Sequence, residues 1–355
     1  MTENPLKQTV FAEKQRVLID RRVSVAPMLD WTDRHCRYFL RGFSAQVLLY
    51  TEMITAAAVL HGDRARLLQF DPEEHPLALQ LGGSEPQELA AAARAGEDAG
   101  YDEINLNCGC PSERVASGAF GACLMREPAR VAECVAGMRA VVRLPVTVKM
   151  RIGVASAGAR EAMGRVTQFD DRDFAALCRF VEAISAAGCA VAIVHARQAV
   201  LGGFSPKDNR EIPPLRYDVV RRLKGAFPQL PLIVNGGLRE PRAILEALTW
   251  CDGVMLGREA YHRPFVLAEL QRALHPAAMA VPTREALLER MQRYAARELA
   301  RGGRLAPIVR HMLGLYAGEP GARQYRRALS EGARAANAGA ELLGRVMPAG
   351  RRPQA

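Results

Sequence analysis

Two side-chain amides, two thiols and a glycine turn are compressed into Asn105-Leu106-Asn107-Cys108-Gly109-Cys110-Pro111-Ser112. The run follows Tyr101-Asp102-Glu103-Ile104, whose apolar alternation predicts a strand. A strand that ends in a tight polar turn carrying a cysteine is poorly suited to packing. It is well suited to presenting a proton donor or nucleophile to something held in front of it. An ordinary thiol has a pKa of ~8.5 and is mostly protonated near neutrality, so Cys110 reads as a candidate general acid. The plainer fate of a free cysteine is a buried, inert one. That reading fits Cys108, which can point to the opposite side of the turn, and Cys36, Cys123, Cys134, Cys178, Cys189 and Cys251, which lie in helix or strand patterns.

Other polar residues stand at the ends of other apolar runs. Gln80, Lys149 and His195 offer an amide, an ammonium and an imidazole. Such groups hydrogen-bond the carbonyls and nitrogens of a flat heteroaromatic cofactor such as an isoalloxazine. Each alone has a bland reading, as a strand-end amide, a snorkelling lysine or a satisfied core histidine. Together, at matching ends of different strands, they read as one site. Asn235-Gly236-Gly237 and Gly257-Arg258 add glycine backbone that can approach a phosphate and a bidentate cation to hold it. The phosphate could belong to a substrate or to a cofactor such as FMN. Lys207 and Arg210 bring charge to a neighbouring loop. Arg323, Arg326 and Arg327 fall at i, i+3 and i+4 with Tyr325 beside them, a pattern suited to phosphate backbones and a stacked base.

The elements that must position these residues repeat one rhythm. Short β-rich runs at 23–28, 47–53, 76–81, 103–107, 145–150, 190–195, 231–235 and 253–256 alternate with helical patterns such as 86–99, 127–142, 171–187, 214–227 and 241–247. Alternating strands and helices imply parallel pairing through right-handed crossovers. Eight units predict a (β/α)8 TIM barrel, which needs ~250 residues and gathers function at the strand C-termini. A doubly wound sheet would carry a glycine fingerprint after its first strand, and Ala26-Pro27-Met28 is no phosphate turn. The expected organisation is an N-terminal extension (1–22), the catalytic barrel (23–265), a helical unit (280–346) and a basic tail (347–355). Residues 154–168 and 201–214 read as loops.

Composition bounds the rest. Apolar residues at 49% and charged residues at 24% fit an ordinary globular protein, and no run is long enough to span a membrane. Residues 1–22 lack the apolar core of a secretory signal, so a cytoplasmic protein is expected. A net charge of +10, with seven Arg against two Glu in 321–355, points to an anionic partner. Eight cysteines without a CxxC pair argue against a disulfide framework or a metal site.

Longer motifs then carry a resemblance. Ala26–Asp33 (APMLDWTD), Tyr50-Thr51-Glu52-Met53, Leu79-Gln80-Leu81-Gly82-Gly83, the 105–112 turn, Lys149-Met150-Arg151-Ile152-Gly153, Val194-His195-Ala196-Arg197, Asn235-Gly236-Gly237 and Gly257-Arg258 resemble the signatures of tRNA-dihydrouridine synthases. Residues 205–214 and Arg310-His311-Met312-Leu313-Gly314 are similar to the A subfamily, which reduces uridines 20 and 20a of the tRNA D-loop. The resemblance runs from about 22 to 343. It implies an FMN barrel with a C-terminal helical domain, NADPH as reductant, hydride delivery from the flavin to C6 of uracil, and protonation of C5 by a cysteine. It further implies Cys110 as that donor and FMN contacts at Pro27, Met28, Leu29, Gln80, Lys149, His195, Asn235, Gly236, Gly237, Gly257 and Arg258. It places tRNA contacts at Asn107, Lys207, Arg210, Arg323 and Arg326, in an enzyme expected to act as a monomer without metal. The chain departs from the family at Cys108, where valine is usual, at Met150, and in a longer 154–170 segment. An FMN barrel acting on a small enone or dihydropyrimidine would leave the basic helical unit unexplained. A catalytically silent RNA-binding protein would leave Cys110 and the flavin set unexplained.

Overall fold

Eight short strands form one parallel sheet: β1 (Val23–Val25), β2 (Leu49–Thr55), β3 (Leu77–Gly82), β4 (Glu103–Cys108), β5 (Val146–Arg151), β7 (Ala192–His195), β9 (Leu232–Asn235) and β10 (Gly253–Leu256). Their order in the sheet is β1-β10-β9-β7-β5-β4-β3-β2. Contact between the first strand and the second closes the ring, through Val25 N donating to Leu48 O at 2.9 Å and Leu48 N to Val23 O at 3.2 Å. The result is the expected (β/α)8 barrel. The computed structural model describes residues 19–112, 120–156, 168–202, 204–277, 281–335 and 337–346. Most of the N-terminal extension, the 347–355 tail and the middle of the 154–170 segment lie outside the described residues.

Strand alternation assigns the two faces. On β4, Ile104, Leu106 and Cys108 pack into the large cluster shared with the helices, while Glu103, Asn105 and Asn107 bond to side chains of neighbouring strands inside the barrel. A smaller apolar set of Ala26, Leu48, Tyr50, Ala78, Val191, Ile193, Ile233 and Met255 fills the rest of the interior. The outer helices are built for this packing. The Pro86–Ala99 helix starts on a proline, ends on Gly100 at φ +100°, and buries Leu89, Ala92, Ala93 and Gly96 on one stripe. A Cβ on Gly96 would lie 2.6 Å from Leu79 and 2.9 Å from Ile104, so only glycine lets helix and sheet approach this closely.

Three expectations need correction. Residues 154–156 are not loop: β6 (Val154–Ser156) pairs in parallel with β8 (Ala199–Leu201) beside the barrel mouth. A helical turn, Asp208–Glu211, lies within the expected 201–214 loop. The helix expected from 214 begins only at Tyr217: the Arg216 N–H is committed to Ala196 O at 2.8 Å, which ties the chain before the helix to the end of β7.

Beyond His262 the described chain is helical, and its Arg284–Ala300 helix docks on the Arg34–Arg41 helix of the barrel. Arg34 pairs with Glu298 at 2.5 Å, and Tyr38 stacks on Tyr294 with ring centroids 4.0 Å apart. Asp33 caps the Arg34–Arg41 helix and receives Arg310 at 2.6 Å and His311 at 3.0 Å. Burial opposes its charge, yet these partners hold the Asp33 carboxyl well below the usual range. Among the described residues no helix is long and apolar enough to cross a membrane.

Candidate active site

The strand C-termini open into one cleft of about 1240 Å³. The cleft is lined by Pro27, Met28, Leu29, Gln80, Asn107, Cys110, Lys149, His195, Arg210, Asn235, Gly236, Gly237, Gly257 and Arg258, so fourteen of the seventeen residues singled out from sequence come together there. Lys207, Arg323 and Arg326 do not line it; all three are exposed outside.

The Cys110 loop is pinned from several sides. Asn107 Oδ1 accepts from the backbone N–H groups of Gly109 at 3.1 Å and Cys110 at 3.0 Å, an Asx-type turn that follows directly from an asparagine at a strand end. Cys110 O accepts from Ala122 N at 2.9 Å. Arg151 Nε donates to Gly109 O at 3.2 Å. The thiol itself is only half-buried, lines the cleft, and lies 3.5 Å from Ser112 Oγ. Cys108 is fully buried on the opposite face, and burial pushes its thiol well above the usual value. The chain therefore presents one of the two neighbouring thiols and hides the other.

Two cations of the neighbouring strand share the cleft with the thiol. Lys149 and Arg151 share the inner face of β5, and neither forms an ion pair among the described residues. Burial first, then the neighbouring Arg151, lowers the Lys149 ammonium to about 8. Burial lowers Arg151 to about 10, Cys110 acts in the opposite sense, and Arg197 and Arg210 add to the lowering. His195 is driven well below its ordinary value by burial and then by Arg151 and Lys149, so near neutrality it is an uncharged imidazole. Arg258 is compensated in part by Glu211 at 3.1 Å.

The glycines are required where they stand. Gly236 and Gly237 have φ of +114° and +70°. A Cβ on Gly236 would lie 2.6 Å from the His195 ring, and one on Gly237 would lie 2.3 Å from Leu215. Tyr217 OH donates to Gly236 O, and Asn235 Nδ2 donates to Met255 O at 2.7 Å, fixing this corner of the cleft.

Arg151 also lines the cleft, a residue that the sequence motifs include but that carried no assigned role. Besides Gly109 O, its Nη1 donates to Gln198 O at 3.2 Å and Asn209 O at 2.8 Å. It thus ties the thiol loop to the loop that carries Lys207 and Arg210. The period-two pattern of β5 puts it on the same face as Lys149, and that was the available signal. Arg151→Lys replaces a fork that reaches three carbonyls by a single ammonium. The substitution is expected to lower turnover by roughly tenfold, with hydrogen exchange rising at 199–210. Unchanged exchange there would show that Arg151 does not hold the loop.

One expected contact is corrected here. Arg323, Arg326 and Arg327 do project from the Ala322–Gly332 helix, but Tyr325 is 1% exposed and its hydroxyl donates to Met312 O at 3.1 Å. It packs against Tyr316 in the helical core and offers no stacking platform. The i+2 offset from Arg323 turns it to the inner face of the helix. Likewise Cys123 and Cys178 are only half-buried, where full burial was expected.

Fold and cleft together define a (β/α)8 barrel enzyme with a cationic, thiol-bearing site at its strand C-termini. The chain belongs to the dihydrouridine synthase family, whose sequence model matches residues 24–348. It is 54% identical over 332 residues to a tRNA-dihydrouridine(20/20a) synthase of Xanthomonas axonopodis pv. citri, covering 94% of this chain and 95% of the relative. Proteins of the same name match at 54% over 313 residues in Pseudomonas syringae pv. tomato, covering 88% and 89%, and at 51% over 332 residues in Synechocystis, covering 93% and 95%.

Proposed function

We propose that this chain reduces the C5–C6 double bond of uridine to 5,6-dihydrouridine at positions 20 and 20a of the tRNA D-loop, with FMN as bound cofactor and NADPH as reductant. The observation that carries the reading is a half-exposed, pinned thiol that lines one cleft with Lys149, His195 and Gln80, where among the described residues neither the lysine nor the imidazole has an acid partner.

The residues present fit a flavin. Gly236 and Gly237 take left-handed backbone, and a Cβ on either would run into His195 or Leu215, so only glycine keeps the backbone of this corner in place. Gly236, Gly237, Gly257 and Arg258 would hold the phosphate, and Asn235 would keep their corner in place. Gln80, Lys149 and His195 would hold the ring edge, with Pro27, Met28 and Leu29 flanking it. Once bound there, FMN supplies the reducing equivalents. Lys149 offers positive charge that would stabilise an electron-rich ring edge, and neutral His195 can donate a hydrogen bond without adding a further charge. Cys110 holds the proton destined for C5 of the uracil, and the thiolate it leaves lies near Lys149 and Arg151. Gln80 and Asn107 each spend one amide N–H on the other polar groups of the barrel and keep a second for the cleft.

The RNA reading draws on the exposed Lys207, Arg323 and Arg326 and on Arg210 at the cleft margin. The protein incubated with NADPH and unmodified tRNA is expected to form dihydrouridine at positions 20 and 20a. Equal turnover of free uridine would overturn tRNA as the substrate. In the double variant Arg323→Ala/Arg326→Ala, tRNA affinity should fall most at low salt. The slope of log affinity against log salt should shrink by about 1.4, at ~0.7 for each phosphate no longer neutralised, while flavin reduction by NADPH stays unchanged.

A further inference from the structure

The barrel interior carries an unbroken polar column that the cleft chemistry leaves unexplained. Glu103, at the start of β4, is fully buried and ion-paired with Arg21. Its Oε1 accepts from Tyr50 OH at 2.6 Å and from Thr147 Oγ1 at 2.6 Å. The Thr147 hydroxyl, its hydrogen committed to Glu103, accepts from Asn105 Nδ2 at 2.8 Å. Asn105 Oδ1 then accepts from Gln80 Nε2 at 2.8 Å, and Gln80 Oε1 accepts from Asn107 Nδ2 at 2.9 Å. The column ends where Asn107 Oδ1 receives the N–H groups of Gly109 and Cys110.

Glu103, Thr147 and Asn105 are fully buried below the cleft, so an unmatched donor or acceptor among them could not turn to water. The two ends of the column are chemically one-sided. A carboxylate only accepts and a backbone N–H only donates, whereas each amide between them could face either way. Both ends demand the same direction. Turning any one amide around would set donor against donor on one side and acceptor against acceptor on the other. Cooperative polarisation along such a chain reinforces the single direction.

We propose that Glu103 is a positioning residue: from the far end of the barrel it sets, through Thr147, Asn105 and Gln80, the orientation of the Asn107 amide and so the seating of the Cys110 loop. The same alignment aims the remaining N–H groups of Gln80 and Asn107 at the cleft. This rests on the assignment of Cys110 as the acid. Barrel register makes the device possible, because Gln80, Asn105 and Thr147 lie level on adjacent strands.

Glu103→Gln is the obvious variant but strips Arg21 of its partner and threatens the fold. Thr147→Val breaks the column one bond higher, keeps the shape, and leaves Arg21, Glu103 and Tyr50 together. In the flavin-loaded enzyme Thr147→Val is expected to lower kcat about tenfold with KM for tRNA unchanged. It should also change the rate at which iodoacetamide alkylates Cys110, followed by peptide mass mapping, and Thr147→Ser should restore both. A Thr147→Val protein with a lowered melting temperature but wild-type kcat and Cys110 alkylation would overturn the proposal. Cys110→Ala run alongside separates the two readings. If Cys110→Ala is inactive while Thr147→Val matches wild type, only the column fails. If Cys110→Ala stays active, the acid assignment fails and the column's proposed role goes with it.

Discussion

Cys110→Ala is expected to lose dihydrouridine formation by about 10²- to 10⁴-fold, the range associated with one positioned proton donor, while still binding the FMN proposed above. The substitution removes a single, half-exposed sulfur atom. What shapes the loop is backbone: the N–H groups held by Asn107, the carbonyl held by Ala122 and the Gly109 carbonyl held by Arg151 all survive. The loss should therefore fall on kcat, with tRNA affinity and melting temperature little changed. Cys108 cannot substitute, since it lies on the outer face of β4 and burial keeps its thiol protonated far above neutrality. Single-turnover reduction of unmodified tRNA, with product mapped at positions 20 and 20a, checks this. Activity within tenfold of wild type would show that another group or water delivers the proton.

The contrast between the two cysteines was legible because it depends only on period two. Residues 104, 106 and 108 face the helices, so 103, 105 and 107 must face the barrel, and the turn after 108 frees Cys110. The same alternation located all eight barrel strands to within a few residues, and glycine and proline punctuation fixed helix ends such as Pro86–Ala99. What the sequence left hidden depends on registers between strands or on partners far along the chain. The Glu103 column needs Gln80 beside Asn105 and Asn105 beside Thr147, pairings that no single strand encodes. Arg151 gained its role from carbonyls of residues 109, 198 and 209, brought together only by the closed barrel. The β6–β8 pair escaped because three-residue strands carry too little pattern. Tyr325 was misread for the opposite reason: a local sequence neighbour of arginines belongs to another face of its helix, and Tyr316 and Met312 bury it.

Lys149→Met should weaken FMN binding by roughly tenfold to a hundredfold, corresponding to the ~1.5–3 kcal/mol of a hydrogen bond made by a charged donor. Methionine keeps the apolar stem and removes only the ammonium, so the cleft should keep its shape. The pH dependence identifies the cause. Burial and then Arg151 lower the free lysine to about 8, and an electron-rich ring edge beside it would raise that value in the complex. Below pH 8 the lysine is charged with or without flavin, and binding exchanges no proton through it. Above pH 8 the free protein has lost that proton and must take it up on binding, so affinity falls with rising pH, by up to tenfold per pH unit. The FMN phosphate does not confuse the reading, since its second ionisation near pH ~6 is complete well before this window. Stability without flavin has its own sign. A lysine lowered in the folded state destabilises it fully below pH 8, and this destabilisation fades as the pH rises toward the ordinary value of 10.5. Calorimetric titration of FMN at pH 7 and pH 9, in pairs of buffers with different ionisation enthalpies, should show proton uptake only at pH 9 and only with Lys149 present. Equal uptake by Lys149→Met would place the titrating group elsewhere and remove the lysine from the flavin site.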